Sequence, residues 1–359
     1  MNDKNNFALV SRPMGAVEKV QSGAKRVLSR MVSDALSQAK EEKSALAAAR
    51  FQIGEYELRE PDYRQILIWA KALALEPEEV IQRLRTAQAV YEQGENELNC
   101  REEADDKAAG EGAPIFMDGA ILKLYWDFEL LPLENFEWVA GLKVEVLFFF
   151  ASVVEEAPNL PLNLPHLRHL TCQDMLLSEL DLSGVPRLSS LVCSRNRLTK
   201  LDLSKVTELT TLECGCNPLM ELNLSGVPKL RELHCMDGRL TKLDLSPVPQ
   251  LERVSCFGNQ LDEVGTSGLS LLNCLWCGNN QLSKLDLSSV PMLEKLMCFR
   301  NRLVELDLSK VPKLTTLGCG DNRLAKIDIR SLPGLQEFSY KPDGEGVTPR
   351  ISQRPDQHF

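Results

Sequence analysis

The sequence predicts a solenoid of stacked short repeats preceded by an α-helical extension, and three observations carry that prediction. The first is a strict period in a rare residue. Eight of the eleven cysteines (Cys172, Cys193, Cys214, Cys235, Cys256, Cys277, Cys298 and Cys319) lie 21 residues apart. The second is that leucines recur in phase with them, so each unit carries an apolar face that only a stacked neighbour can bury. The third is a change of pattern before residue 98, where apolar residues fall at helical spacing.

The repeats begin at Leu167, Leu188, Leu209, Leu230, Leu251, Leu272, Leu293 and Leu314. They share L-x-x-L-x-C-x-x-N-x-L-x-x-L-D-L-S-x-V-P-x, and Leu188–Glu208, LSSLVCSRNRLTKLDLSKVTE, shows the pattern. The L-x-x-L-x-C segment predicts a short strand whose alternation turns the second leucine and the cysteine inward. Asn196, Asn217, Asn259, Asn280, Asn301 and Asn322 follow the strands, placed so that their amides can satisfy backbone groups in the turn between repeats; Met175 and Gly238 interrupt the row. Ser183, Ser204, Ser225, Ser246, Ser267, Ser288 and Ser309 stand where a hydroxyl closes a local turn. Prolines from Pro186 to Pro333 then prevent a long helix.

These motifs resemble the bacterial leucine-rich repeat proteins of the short, 21-residue class, over roughly residues 167–340 and more weakly before. The resemblance implies a solenoid with a parallel β-sheet on its concave side, one strand per repeat, and a role in binding proteins. It also implies the turn-bonding role of the asparagines. Two departures matter: the sixth position is cysteine rather than leucine, and L-x-x-L-D-L-S nearly repeats the first half, so the convex side is expected to be extended as well. The expected fold is about eight clear repeats plus degenerate caps, with the α-helical extension at the N-terminus.

One exposed row alternates in sign without exception: Glu179, Lys200, Glu221, Lys242, Glu263, Lys284, Glu305, Lys326. Strand neighbours are about 4.8 Å apart, so the row is expected to form a ladder of weak pairs that penalises a slip by one repeat.

Residues 1–97 form the helical N-terminal region. Val17, Val20, Ala24, Val27 and Met31 make one stripe within 15–50, which offers a homo-oligomer contact. Two further helices are expected at 62–75, with Asp62 as N-cap, and at 77–93, with Pro77, Glu78 and Glu79 in the first turn. Residues 98–114 read as a charged linker and 115–166, with Trp138, Leu147 and Phe149, as degenerate capping repeats. Residues 167–340 are the solenoid and 341–359 the C-terminal tail.

The chain has 43% hydrophobic and 26% charged residues and a net charge of −10, which disfavours general nucleic-acid binding. Nearly all the acid excess sits in 100–165, and 166–359 balances to zero. The helical pair 62–93 superficially resembles a DNA-reading motif, but its second helix begins with Glu76, Glu78 and Glu79, where basic or amide groups are needed. The longest apolar run, Val144–Val154, is too short to span a bilayer and contains Glu145. Met1–Val20 lacks the apolar block of a secretory leader, although polar Met1–Val10 is compatible with delivery into another cell. Stacked cysteines at strand spacing invite crosslinks in an oxidising compartment, so a reducing cytosol is expected.

Cys214-x-Cys216 and Cys274-x-x-Cys277 have ligand-like spacing, but their phase puts one cysteine inward and one outward, so no metal site and no cofactor is expected. G-x-x-x-x-G-K-[ST], G-x-S-x-G and H-E-x-x-H are missing, so no enzyme is expected.

The outward positions of the strands carry large apolar residues only in the central repeats. Met236, Phe257, Trp276, Met297 and Phe299 are expected to form one exposed patch beside His234, rimmed by Arg195, Arg253, Lys295 and Arg300. The alternative is that the N-terminal part or a second copy covers it. The expected function is non-catalytic protein binding on the concave face, as a scaffold or regulator in the bacterial cytoplasm. An effector acting in a host cytosol and a DNA-linked regulator using 62–93 are the alternatives.

Overall fold

The computed structural model of the protein describes residues 50–97, 116–117, 120–127, 142–150, 160, 162–340 and 350–353. The 15–50 stripe (apart from Arg50), the 98–114 linker and Trp138 lie outside the described residues.

Eleven strands form one parallel sheet: β5 (Lys123–Asp127), β6 (Val146–Phe150), β7 (His169–Thr171), β8 (Ser190–Val192), β9 (Thr211–Glu213), β10 (Glu232–His234), β11 (Arg253–Ser255), β12 (Cys274–Trp276), β13 (Lys295–Met297), β14 (Thr316–Gly318) and β16 (Glu337–Ser339). Between β7 and β16 register partners lie one period apart, as in Leu212↔Leu233↔Val254↔Leu275. β5, β6 and β7 stand in the same register, with Leu124 opposite Leu147 and Leu147 opposite Leu170.

Each central strand points its middle residue inward, and these side chains and all eight ladder cysteines are buried. The convex side carries no helix among residues 162–340; it is extended and turned, as the doubled L-x-x-L motif implies. Its leucine and valine rows (Leu203, Leu224 and Leu245; Val206, Val227 and Val248) close the core from behind. On that side β15 (Lys326–Asp328) pairs in parallel with β17 (Arg350–Ser352), so part of the tail adds a strand to the end of the solenoid.

The asparagine row behaves as expected. Asn196 Nδ2 donates to the carbonyls of Cys172 (2.8 Å) and Cys193 (3.0 Å), and its Oδ1 accepts from the N–H groups of Met175 (3.0 Å) and Leu177 (2.9 Å). Asn217, Asn259, Asn280, Asn301 and Asn322 bridge successive repeats in the same way. The serine row works with the aspartate before it. The N–H of Ser204 donates to Asp202 Oδ1 at 2.9 Å, and the Ser204 N–H and hydroxyl together hold that carboxyl below the usual carboxylate range.

The alternating charge row is a correction. Its members are exposed, and among the described residues no ion pair joins neighbours in it. The pairs that link successive repeats are Lys229–Glu208, Arg231–Glu252, Arg253–Glu232 and Arg300–Asp321.

The N-terminal unit opens with a hairpin that the sequence reading missed, β1 (Arg50–Ile53) and β2 (Tyr56–Arg59), turned at Gly54 with φ +54°. Two helices follow, α1 (Glu60–Leu73) and α2 (Pro77–Glu97). Asp62 is not the N-cap: Arg59 holds that position without a side-chain bond, and Asp62 is buried. Its Oδ1 accepts a 2.9 Å bond from the N–H of Ile121 on β4 (Ala120–Ile121), which pairs with β3 (Phe116–Met117). α2 packs on β5, the edge strand of the sheet, and Trp69 meets Trp126 edge-on at 4.9 Å. The helices therefore share one apolar core with the solenoid's first turns.

Candidate functional site

The cysteine ladder is core. Burial alone pushes the Cys172 thiol up to about 12, and the Cys214, Cys256 and Cys319 thiols also stand at about 12. A buried thiol held in this way is neither nucleophile nor ligand. Cys214 and Cys277 point into the core, whereas Cys216 is exposed and Cys274 half-buried on the sheet face. Among the described residues no three His, Cys, Asp or Glu side chains group as a metal site.

The concave face is built from rows of side chains one strand apart. The row at the third strand position places Glu213, His234, Ser255 and Trp276 side by side, because these residues are register partners. Carboxylate, imidazole and hydroxyl thus follow one another, the residue types of an acyl-transfer triad. Ser255 Oγ nevertheless makes no hydrogen bond, to His234 or to any described group, and Ser255 is 2% exposed. The succession is not assembled as a triad.

These residues form the floor of a cleft of about 970 Å³. It crosses the sheet diagonally. One end is the turns after β7 to β10, with Ser194, Arg195, Gly215, Cys216, Met236 and Asp237; the other is the strand starts of β11 to β13, with Arg253, Cys274 and Lys295. The turn end has a backbone cause: the residue after the outward run of every strand from β7 to β14 is left-handed, including Arg195 (φ 55°), Cys216 (53°), Asp237 (51°), Gly258 (70°) and Asn279 (51°). Asp, Asn and Gly tolerate that conformation best, so their recurrence just before the Asn row was its legible signal.

Six of the ten expected site residues line the cleft: Arg195, His234, Met236, Arg253, Trp276 and Lys295. Arg195 and Lys295 are exposed and the other four half-buried. Phe257, Met297, Phe299 and Arg300 do not line it. The one exposed patch expected from the sequence is therefore two features. Phe257 and Phe299 lean together over Gly278 with centroids 5.6 Å apart, and a Cβ at Gly278 would meet their rings at 3.2 and 3.3 Å. Met297 covers Gly318 in the same manner. Missing side chains in the next repeats let these large ones fold down, so they are half-buried. Arg300 pairs with Asp321 at 3.5 Å, beyond the cleft.

Glu213, Asp237 and above all Ser255 were not among the expected site residues, although the strand phase turns Glu213 and Ser255 outward. Ser255 Oγ and Trp276 Nε1, on adjacent strands, are both sealed from solvent and find no hydrogen-bond partner among the described residues. Each such atom costs roughly 1–3 kcal/mol in the folded chain. The signal in the sequence was a lone small polar residue between His234 and Trp276 in a row of larger ones.

No family model matches the sequence, and no curated protein matches it either. Among solved structures, the functional domain of InlJ from Listeria monocytogenes, described as including a cysteine ladder, is similar at 28% identity with a TM-score of 0.50. The match covers 58% of this chain and 51% of that one, so it spans about half of that domain. An internalin C2 from Listeria monocytogenes is 22% identical with a TM-score of 0.40, over 44% of this chain and 73% of that one. A leucine-rich repeat protein of Leptospira interrogans is 16% identical with a TM-score of 0.44, over 59% and 72%.

Proposed function

We propose that this chain, a leucine-rich repeat protein of the bacterial 21-residue type, is a non-catalytic binding protein that holds a protein partner along the diagonal cleft of its concave sheet. The observation that carries the reading is the cleft itself: about 970 Å³ on an otherwise regular sheet, with half-buried Met236 and Trp276 between cations and carboxylates. Apolar anchors ringed by polar groups are the composition of a protein-binding hot spot. The described part of the helical extension packs on β5, at the edge of the sheet, well away from β11 and β12.

The setting we propose is a reducing bacterial cytoplasm, supported by eight stacked thiols at strand spacing. Delivery into a host cytosol would suit the same thiols. No helix among the described residues is long and apolar enough to cross a membrane. For the DNA-linked alternative, α2 offers exposed Glu78 and Glu79 in its first turn and buries Val80, Ile81 and Leu84 against its surroundings. That surface favours the protein-binding reading.

The test is affinity capture under reducing conditions with the wild type beside Arg195→Glu/Lys295→Glu, two exposed sites whose exchange leaves the core intact. Loss of the partner in the variant supports the reading, and equal capture by both baits sinks it.

A further inference from the structure

We propose that the cleft seats a single carboxylate of the partner, an aspartate or glutamate side chain on an extended segment, in a cradle of donors around Cys274. The proposal rests on the concave-face reading and names its chemistry.

The cradle follows from register. Arg253 and Lys295 are the two strand partners of Cys274, one on each side. The cations thus stand two strands apart, roughly 10 Å, with the small cysteine side chain between them. Two residues along, Ser255 and Trp276 are partners in the next outward row. By register, four donor-bearing side chains stand on or beside Cys274's strand: a guanidinium, an ammonium, a hydroxyl and an indole N–H.

None of the four is fully engaged among the described residues. Arg253 faces Glu232 at 3.6 Å, which leaves most of its guanidinium donors directed elsewhere. Lys295 is exposed and makes no ion pair among the described residues. Trp276 Nε1 and Ser255 Oγ are the orphans. An indole nitrogen only donates, so the missing partner there is an acceptor. An acceptor that also draws two cations is an anion.

The acids of the cleft fix how many anions fit. Glu213 and Asp237 lie toward the turn end and Glu294 beside Lys295. A run of acidic residues would meet them, whereas one carboxylate at Cys274 avoids the first two. Both orphan atoms are shut from water, so entry requires a covering side chain to move. Lys295, long and unbranched, lines the same cleft beside Cys274 and can swing.

The experiment reads the indole N–H resonances of the full chain by ¹H–¹⁵N correlation. The chain has four tryptophans, and the peak lost in Trp276→Phe assigns the reporter. The probes are the acetylated, amidated pentapeptide Leu-Ala-Glu-Ala-Leu, its Gln analogue and its phosphoserine analogue. The Glu peptide should shift the Trp276 peak saturably, the Gln peptide should not, and Ser255→Ala or Lys295→Ala should weaken the shift about tenfold. The Trp69 and Trp126 peaks, staying in place, report that each variant is folded. An equal shift by the Gln peptide, or a shift by the phosphoserine peptide alone, overturns the carboxylate and leaves the concave-face reading intact. No shift by any peptide overturns the proposal as well. If the Arg195→Glu/Lys295→Glu bait also captures partners as the wild type does, the concave-face reading falls with it.

Discussion

The side chain of Asp62 on α1 accepts a 2.9 Å hydrogen bond from the main-chain N–H of Ile121 on β4, and this bond ties the helical extension to the start of the solenoid. The carboxyl is buried, and that burial raises it to about 6, against the smaller opposing effects of the Ile121 N–H, Arg59 and Lys143. The folded chain therefore holds a proton on Asp62 at pH values where the unfolded chain has lost it.

The sign of the pH dependence follows. A carboxyl raised in the folded state stabilises below its unfolded value, near 4, and that contribution is lost as pH rises through about 6. Thermal melts from pH 4 to 7 should show the N-terminal unit weakening as pH rises. Asp62→Asn, which keeps an acceptor for Ile121, should flatten that trend. A wild type that grows more stable across this window would contradict the account.

Asn217 is 2% exposed and serves Leu198, Cys193 and Cys214. Asn217→Ala strands one buried donor, the Leu198 N–H, and one buried acceptor, the Cys214 carbonyl, whereas the Cys193 carbonyl keeps Asn196; urea unfolding should show a loss of roughly 2 kcal/mol or more. Glu221→Ala, in the alternating charge row, should cost under about 0.5 kcal/mol.

Ser255→Ala removes an unpartnered buried hydroxyl and leaves nothing unsatisfied. Its stability in urea should exceed the wild type by about 1 kcal/mol, the low end of the cost of an orphan polar atom. A loss of 2 kcal/mol or more by that estimate would mean that the hydroxyl is bonded in solution and is no orphan.

Alkylation with iodoacetamide, mapped by mass, should reach Cys216 first among the described cysteines of the native protein. Its thiol is exposed, though raised by partial burial and by Asp237. The eight ladder thiols should stay unmodified until the chain unfolds, because burial holds them neutral and out of reach. Modification of Cys256 at the same rate as Cys216 would contradict the core assignment.

The parts of the fold that repeat were legible in the sequence, because period converts directly into register. One phase, read from Cys172 to Cys319, places every inward leucine and the asparagine bridges. What failed depends on side-chain length and on neighbours. Phe257 and Phe299 read as exposed from their phase alone, and only the gap at Gly278 shows why they fold down. The charge row failed because alternating signs permit pairing without bringing the charges together. Asp62 looked like a cap because local sequence says nothing of a partner as far along the chain as Ile121. Ser255 is an ordinary serine until its strand neighbours are known.

The central claim is that the partner lies in the concave cleft, and site-specific photocrosslinking tests it most directly. A benzophenone amino acid is placed at Cys216, exposed at the turn end of the cleft, and in a second protein at Met220, which is 66% exposed and outside it. Both are irradiated with the captured partner under reducing conditions. The account predicts a covalent adduct from position 216 and none from 220. An adduct from 220 alone, or equal adducts from both, would contradict it.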